Sequence, residues 1–403
     1  MKSAYLLFMF LLHTYSLVFT ASVSAKAVLP SQVGAAQIDS YLPQIQNKSI
    51  GLVVNQTSMI QNRHLVDVLR DNGINIKYIF APEHGFRGNK GAGEFVESGN
   101  DKKTGIPVVS IYGKSKRPPA AIMSQLDVVI FDIQDVGARF YTYVSSMHYM
   151  MQAAALNQVE FIVLDRPNPN IQFIDGPVLE DKFRSFVGIH PIPVLHGMTV
   201  GELAQMIKGE NWLSIRAPEE VKDSEKLNNL QLTIVPVKNY NRSDTYSLPV
   251  PPSPNLPNDK AIQLYAALCF FEATPVSIGR GTEFPFQVIG HNQVFTGEFQ
   301  FMPVVMPYAA PYPKLKNQIT TGIDLRKSDI EGLDLKAFYS WFSLFRQRGV
   351  VFFERAAFMD KLAGTNKLRL AMLAGQPLIQ IEKNWQVGIE KFKKQRLPYL
   401  IYQ

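Results

Sequence analysis

Cysteine is all but missing: the 403 residues hold one, Cys269, inside the apolar run Ala266-Ala267-Leu268-Cys269-Phe270-Phe271. One thiol forms no internal disulfide, so the core must stand without one. In that setting Cys269 reads as a small buried apolar side chain rather than a nucleophile. Charge never gathers into a run. The net charge is +7, and Lys and Arg are scattered, whereas nucleic-acid binding shows a concentrated basic stripe. No nucleic-acid partner is expected, and the mild excess is compatible with an acidic polymer. Beyond residue 25, no stretch approaches the ~20 apolar residues of a membrane helix.

Several catalytic signatures are missing too. Gly113-Lys114-Ser115 hints at a phosphate loop, but the glycine required five places earlier is Val108. No Gly-x-Gly-x-x-Gly follows the first strand, which disfavours a dinucleotide enzyme, and no cofactor is expected. Neither a Gly-x-Ser-x-Gly elbow nor a His-Glu-x-x-His zinc helix occurs. Internal repeats are not seen.

What is present starts with a leader pattern. Lys2 precedes an uncharged stretch from Ser3 to Ala25 that contains Leu6-Leu7-Phe8-Met9-Phe10-Leu11-Leu12 and ends in Val23-Ser24-Ala25. A positive start, a short apolar segment and small residues at the end make a secretory signal over 1–25, with a mature start at Lys26. The expectation is a periplasmic or secreted protein without a stable membrane anchor after cleavage. No cysteine near the cut marks a lipid anchor.

Residues 26–403 are long enough for two domains of ordinary size. Short apolar runs at Ile50–Val54, Lys77–Ala81, Pro107–Ile111, Val128–Phe131, Phe161–Leu164 and Leu232–Val237 alternate with helical stretches such as His64–Asp71 and Tyr143–Leu156. Continuous apolar strands separated by helices predict an α/β fold, its mostly parallel sheet covered on both faces. Thr199-Val200-Gly201-Glu202 has the spacing of a capping box. A break rich in Asn, Ser and Pro at 238–258 then separates a catalytic domain over 26–250 from a smaller C-terminal α/β domain over 251–403. Helices are expected there at Asp259–Phe271, Leu335–Arg348 and Asn384–Lys394.

Ligands of open parallel sheets bind at the carboxyl ends of the strands, where the unusual polar clusters fall. Asn55 follows the first strand, and Pro82-Glu83-His84-Gly85-Phe86-Arg87-Gly88 follows the second. Asp132-Ile133-Gln134-Asp135-Val136-Gly137-Ala138-Arg139-Phe140-Tyr141-Thr142-Tyr143 and Asp165-Arg166-Pro167-Asn168-Pro169 follow two more. Each piece has an ordinary structural reading as well. Asp132 or Asp165 alone suits a helix cap, and Arg139 is spaced to pair with Asp135. Glu83-His84, bounded by Pro and Gly, is poor helix or strand material and favours function. The carboxylate and imidazole cluster of Glu83, His84, Asp132 and Asp165 also suits a metal-dependent hydrolase. Activity lost to a chelator would single out that reading.

At these motifs the sequence resembles the NamZ-type exo-β-N-acetylmuramidases, formerly a domain family of unknown function. The likeness runs from Gly51-Leu52-Val53-Val54-Asn55 to Leu397-Pro398-Tyr399-Leu400-Ile401-Tyr402. It includes His196-Gly197-Met198-Thr199, Pro252-Ser253-Pro254-Asn255-Leu256-Pro257 and Ser277-Ile278-Gly279-Arg280-Gly281-Thr282. Two departures stand out: Glu272-Ala273-Thr274 where the family often has Glu-Gly-Thr, and Asn239-Tyr240-Asn241-Arg242 in place of a Trp-rich stretch.

The resemblance implies a Rossmann-like N-terminal domain with a smaller C-terminal one, and exo-hydrolysis of terminal β-linked N-acetylmuramic acid from the non-reducing ends of peptidoglycan-derived oligosaccharides, with Glu83 as main catalytic residue and no metal. Glycoside cleavage needs an acid and a second group to manage an oxocarbenium-like state. Glu83 is the candidate acid, and His84 is the candidate to orient it or the water. Asp132, Asp135 and Glu272 are candidates for the second carboxylate, Asp132 taken as catalytic. The candidate substrate contacts are Asn55, Asp135, Arg139, Tyr141, Asp165, Arg166, Asn168, His196, Asn255, Glu272 and Arg280. Among the arginines, Arg280 is the first choice for the lactyl carboxylate of muramic acid. A non-catalytic cell-wall binding module stays open as a further rival.

Overall fold

Apolar runs just long enough to cross a sheet dictate the centre of the molecule, and the structure, a computed structural model, describes residues 30–87, 98–113, 115–217 and 225–403. The secretory signal expected over 1–25 lies outside the described residues, as do Gly88 and Lys114 of the motifs above. From the N-terminus come α1 (Ile38–Ile45), β1 (Ser49–Val54), the short ladder β2 (Met59–Ile60) and β3 (Arg63–His64), α2 (Leu65–Asp71) and β4 (Asn75–Ala81). They are followed by β5 (Gly99–Asn100), β6 (Pro107–Ser110), α3 (Ala120–Met123), β7 (Val128–Asp132), α4 (Tyr143–Leu156) and β8 (Glu160–Leu164). A second ladder, β9 (Ile174–Asp175) with β10 (Leu195–His196), precedes α5 (Val200–Gly209), α6 (Glu225–Asn228) and β11 (Leu232–Val235).

The seven-stranded sheet has the order β11-β8-β7-β1-β4-β6-β5. Every neighbouring pair is parallel except the edge pair β5–β6. From β1 the chain steps outward through β4 to β6, then returns to β7 on the other side of β1 and steps outward to β11. The direction of winding therefore reverses beside β1, and the loops leaving β1, β4 and β7 open a crevice there.

All five residues of β7 are buried, and so are the last five of β1. A strand covered on both faces has to be apolar throughout, which is why these runs do not alternate. α4 is buried along nearly its whole length, from Tyr143 to Ala155. Side chains such as Phe131, Phe161 and Met147 are removed from water entirely, each contributing about 1.5–3 kcal/mol. The capping box at Thr199 and Glu202 is present and starts α5.

Beyond β11 the chain adds α7 (Asp259–Leu268), β12 (Val288–His291), β13 (Phe299–Phe301) and β14 (Thr320–Asp324). Next come α8 (Lys336–Gln347), α9 (Ala356–Ala363), α10 (Lys367–Leu373) and α11 (Leu378–Arg396). The three strands form an antiparallel sheet in the order β12-β14-β13. The helix expected over Asp259–Phe271 ends earlier, at Leu268, and tightens into a 3₁₀ turn over Cys269–Ala273. The last helix starts earlier than the expected Asn384, directly after Pro377, a residue that suits a helix start. One apolar cluster runs on both sides of position 250, from Phe131 and Met147 to Phe271, Trp341 and Phe392. Among the described residues no helix is long and apolar enough to cross a membrane.

Candidate active site

β4 ends at Ala81, and Pro82 cannot continue it, so the chain turns at Glu83-His84. Gly85 N–H donates to the Pro82 carbonyl at 3.0 Å and closes the turn. His84 has φ +68° and Gly85 φ +76°. Glycine takes that region freely, but a histidine there is uncommon and held by its surroundings.

The turn aims the Glu83 carboxylate at two hydroxyl donors. Tyr112, two residues past β6, donates to Oε1 at 2.8 Å, and Thr142, at the start of α4, donates to Oε2 at 2.6 Å. Burial and the nearby Glu83 charge push the Tyr112 hydroxyl well above its usual range, so it stays a donor. Lys116 lies over the Tyr112 and Phe186 rings, 4.6 and 4.1 Å from their centroids.

Glu83 and His84 line a cavity of about 180 Å³ together with Tyr141 from the loop after β7 and Tyr143 at the start of α4. Ser253 and Asn255 of the Pro-rich crossover close one side, and Tyr265, Glu272, Arg280 and Phe286 of the C-terminal domain close another. The crossover is fixed because Tyr141 donates to the Pro252 carbonyl at 2.8 Å, and Asn255 Nδ2 donates to the Ala309 carbonyl at 2.6 Å. On the C-terminal domain's side of the cavity, Arg280 Nε donates to Glu272 Oε1 at 2.5 Å. Burial works to raise the Glu272 carboxyl, but the Arg280 and Lys314 charges prevail and hold it below its usual range. Glu272 is thus an ionised carboxylate facing the cavity. Arg280 sits between Gly279 at φ +80° and Gly281 at φ +82°, where an added Cβ would strike the Phe284 and Val304 carbonyl oxygens. Only glycine lets the loop approach that closely.

Six of the expected site residues therefore meet at one cavity: Glu83, His84, Tyr141, Asn255, Glu272 and Arg280. The rest do not line it. Asp132, expected as a catalytic carboxylate, is fully buried and held by Arg166, Nε to Oδ1 at 2.6 Å and Nη2 to Oδ2 at 2.9 Å. Arg166 also donates to the Met59 carbonyl at 3.3 Å, so the structure places both partners in a buried fork away from the cavity they were expected to line. Asn55 accepts from Thr57 N–H at 2.9 Å and shapes the loop after β1. Asp165 ties β8 to α5 and the C-terminus, accepting from Gly201 N–H at 2.8 Å and from Tyr402 at 2.6 Å. Burial pushes its carboxyl up to about 6. Asn168 bridges its own loop to the Met198 carbonyl at 2.9 Å.

Asp135 accepts from Gly137 N–H at 2.7 Å, and burial raises its carboxyl to about 7. His196 is fully buried with Nε2 3.8 Å from Asp135 Oδ2, and burial lowers its imidazole to about 3. Arg139 neither pairs with Asp135 nor reaches the cavity. It donates to the carbonyls of Pro177, Ile192 and Leu362 at 2.8, 2.6 and 3.0 Å, pinning α9 to the first domain.

The chain matches two family models, described as the N-terminal part of exo-beta-N-acetylmuramidase NamZ over residues 50–260 and its C-terminal part over residues 263–402. The chain belongs to the NamZ family. It is 37% identical over 391 residues to a peptidoglycan beta-N-acetylmuramidase NamZ of Bacillus subtilis (strain 168), covering 91% of this chain and 90% of that one. Two crystal structures of DUF1343-family proteins from Bacteroides fragilis NCTC 9343 share the fold. One has a TM-score of 0.82 at 40% identity, the other 0.77 at 27%, and each covers 93% of this chain and 99% of its own.

Within this NamZ-family chain, sequence reasoning missed Tyr112 and Thr142, the two donors to Glu83. Tyr112 follows the carboxyl end of β6, which the strand-end rule already marks. Thr142 lay inside the quoted motif, but nothing in a linear pattern tells a hydroxyl facing a carboxylate from one capping a helix.

Proposed function

We propose that the chain is an exo-acting glycoside hydrolase that releases terminal β-linked N-acetylmuramic acid from the non-reducing ends of peptidoglycan fragments. The observation that carries this reading is the Glu83 carboxylate, fixed by Tyr112 and Thr142 in the lining of a cavity beside the point where the sheet reverses its winding. Family membership supplies the reaction class.

In this mechanism Glu83 gives its proton to the glycosidic oxygen as the C1–O bond breaks. Positive charge grows at C1, and the ionised Glu272 facing the same cavity stabilises it. Arg280 Nε engages Oε1 of Glu272 and holds the carboxylate in place. Water then adds at C1 and its proton passes to Glu83, which restores the starting protonation. His84, locked in its left-handed conformation, orients the acid or the water.

The test is incubation with a muramic-acid–glucosamine disaccharide. Free N-acetylmuramic acid is the expected product, and measurable binding with unchanged disaccharide would overturn the reading in favour of a glycan-binding module. The leader pattern at Lys2–Ala25 supports export to the periplasm or medium. A mature N-terminus at Lys26 in protein isolated from its host would bear that out, and an intact Met1 would sink it.

A further inference from the structure

Beyond the Glu272–Arg280 wall lies a second cavity of about 300 Å³, larger than the first. The two cavities share Glu272 and Arg280 as lining residues. Three cations, Arg280, Lys314 and Arg355, line the second cavity against one carboxylate, Glu272. Two net positive charges so close together are unusual unless something anionic is meant to sit among them.

The three cations are not equivalent. Lys314 spends its ammonium on the carbonyls of Phe271, Thr274 and Val276, at 2.7, 2.5 and 3.3 Å. It clamps the 3₁₀ turn that carries Glu272 and acts on the cavity as a fixed charge. Arg280 uses only Nε on Glu272, so among the described residues its two terminal nitrogens make no hydrogen bond. Arg355 lies at the exposed rim, its guanidinium over the Phe358 ring at 4.3 Å, with no carboxylate partner among the described residues. Two guanidinium groups with unspent donors, backed by a buried ammonium, make a receptor for a carboxylate.

We propose that this second cavity seats the carboxylate carried by the substituent of the sugar bound beside Glu83. The inference rests on the reading of the first cavity as a muramic-sugar site. Muramic acid carries that carboxylate on its lactyl ether, and in peptide-bearing fragments the stem carries it further out. The size of the cavity accommodates either, so the shared chemistry is the carboxylate itself.

The test compares the wild type with Arg355→Glu on three aryl glycosides. One carries N-acetylmuramic acid, the second its neutral lactyl carboxamide, and the third muramyl-L-alanine, whose carboxylate lies one residue further out. Arg355 is exposed, and its backbone bonds, N–H to the Ala273 carbonyl and its own carbonyl from the Phe358 and Met359 N–H groups, do not involve the side chain, so the variant should melt like the wild type. In the wild type KM should be about tenfold higher for the carboxamide than for the better carboxylate substrate. Arg355→Glu should erase that preference, raising KM for the carboxylate substrate about tenfold while the carboxamide stays within about twofold.

A larger effect on the muramic glycoside assigns the cavity to the lactyl group, and a larger effect on the alanyl glycoside assigns it to the stem. Charge discrimination that survives Arg355→Glu, or an equal change on all three substrates, overturns the proposal. A wild type that cleaves none of the three overturns the enzymatic reading instead, so the two failures are distinct.

Discussion

Tyr112 donates its hydroxyl hydrogen to Oε1 of Glu83 at 2.8 Å, although the two are 29 residues apart with β5 and β6 between them in the chain. Thr142 holds the other oxygen, so the carboxylate cannot rotate away from the cavity. Glu83→Gln keeps the shape and loses the transferable proton. It should fold with an unchanged thermal midpoint and lose at least about 10²-fold in kcat, the usual scale for a positioned acid. Near-normal turnover of the muramic disaccharide would remove Glu83 from the mechanism.

Tyr112 itself is a positioning residue. Tyr112→Phe keeps the ring under Lys116 and removes only the donor. The expected result is a kcat lowered by about tenfold with KM nearly unchanged, since the contact serves the acid rather than the bound sugar. A rise in KM at constant kcat would place Tyr112 in sugar binding.

Asp132 and Arg166 form a buried pair with side-chain exposures of 0% and 3%. Removing one partner strands a charge out of water, so Asp132→Leu should cost about 3–5 kcal/mol in denaturant unfolding. At a temperature where the variant is still folded, kcat per folded molecule should stay within severalfold of the wild type. A stable variant without activity would return Asp132 to the chemistry.

The contrast between Asp132 and Glu83 shows what a linear pattern contains. Both stand at carboxyl ends of strands that flank β1, and the apolar runs before them locate both loops correctly. The strands were legible because burial on two faces demands unbroken apolar runs. The direction each side chain takes was not, because it depends on partners far away in sequence. Arg166, 34 residues from Asp132, draws it under the sheet edge, while Tyr112 and Thr142 draw Glu83 into the open. Arg139 was spaced to meet Asp135, yet the carbonyls of Pro177, Ile192 and Leu362 claim it. Glu272 and Arg280 were singled out one at a time, and their pairing in one wall of the cavity appears only in three dimensions. The short helices α9 and α10 carried no cap pattern strong enough to announce them.

Stability should fall on the acid side, and the sign follows from the buried histidines. Burial lowers His148 and His196 from 6.5 to about 3, and lowers His190 well below 6.5. Between pH 6.5 and about 3 the unfolded chain takes up protons at these sites and the folded chain does not. Each site then costs about 1.4 kcal/mol per pH unit as pH falls. Asp135 and Asp165 oppose this, because burial raises them from 3.8 to about 7 and about 6. They hold protons in the folded state that the unfolded state releases, so from those values down to 3.8 they return stability as pH falls. Three histidines against two aspartates leave a net loss of about one site's worth between pH 6 and 4, on the order of 1.4 kcal/mol per unit. His64 and His291, also lowered by burial, add to it. Denaturant midpoints should therefore peak near neutral pH and decline from pH 6 to 4. Asp135→Asn removes one opposing group, so its decline over that range should be steeper than that of the wild type by about 1.4 kcal/mol per pH unit. A wild-type midpoint that holds level or rises down to pH 4 would mean that the buried imidazoles find their protons in the folded state.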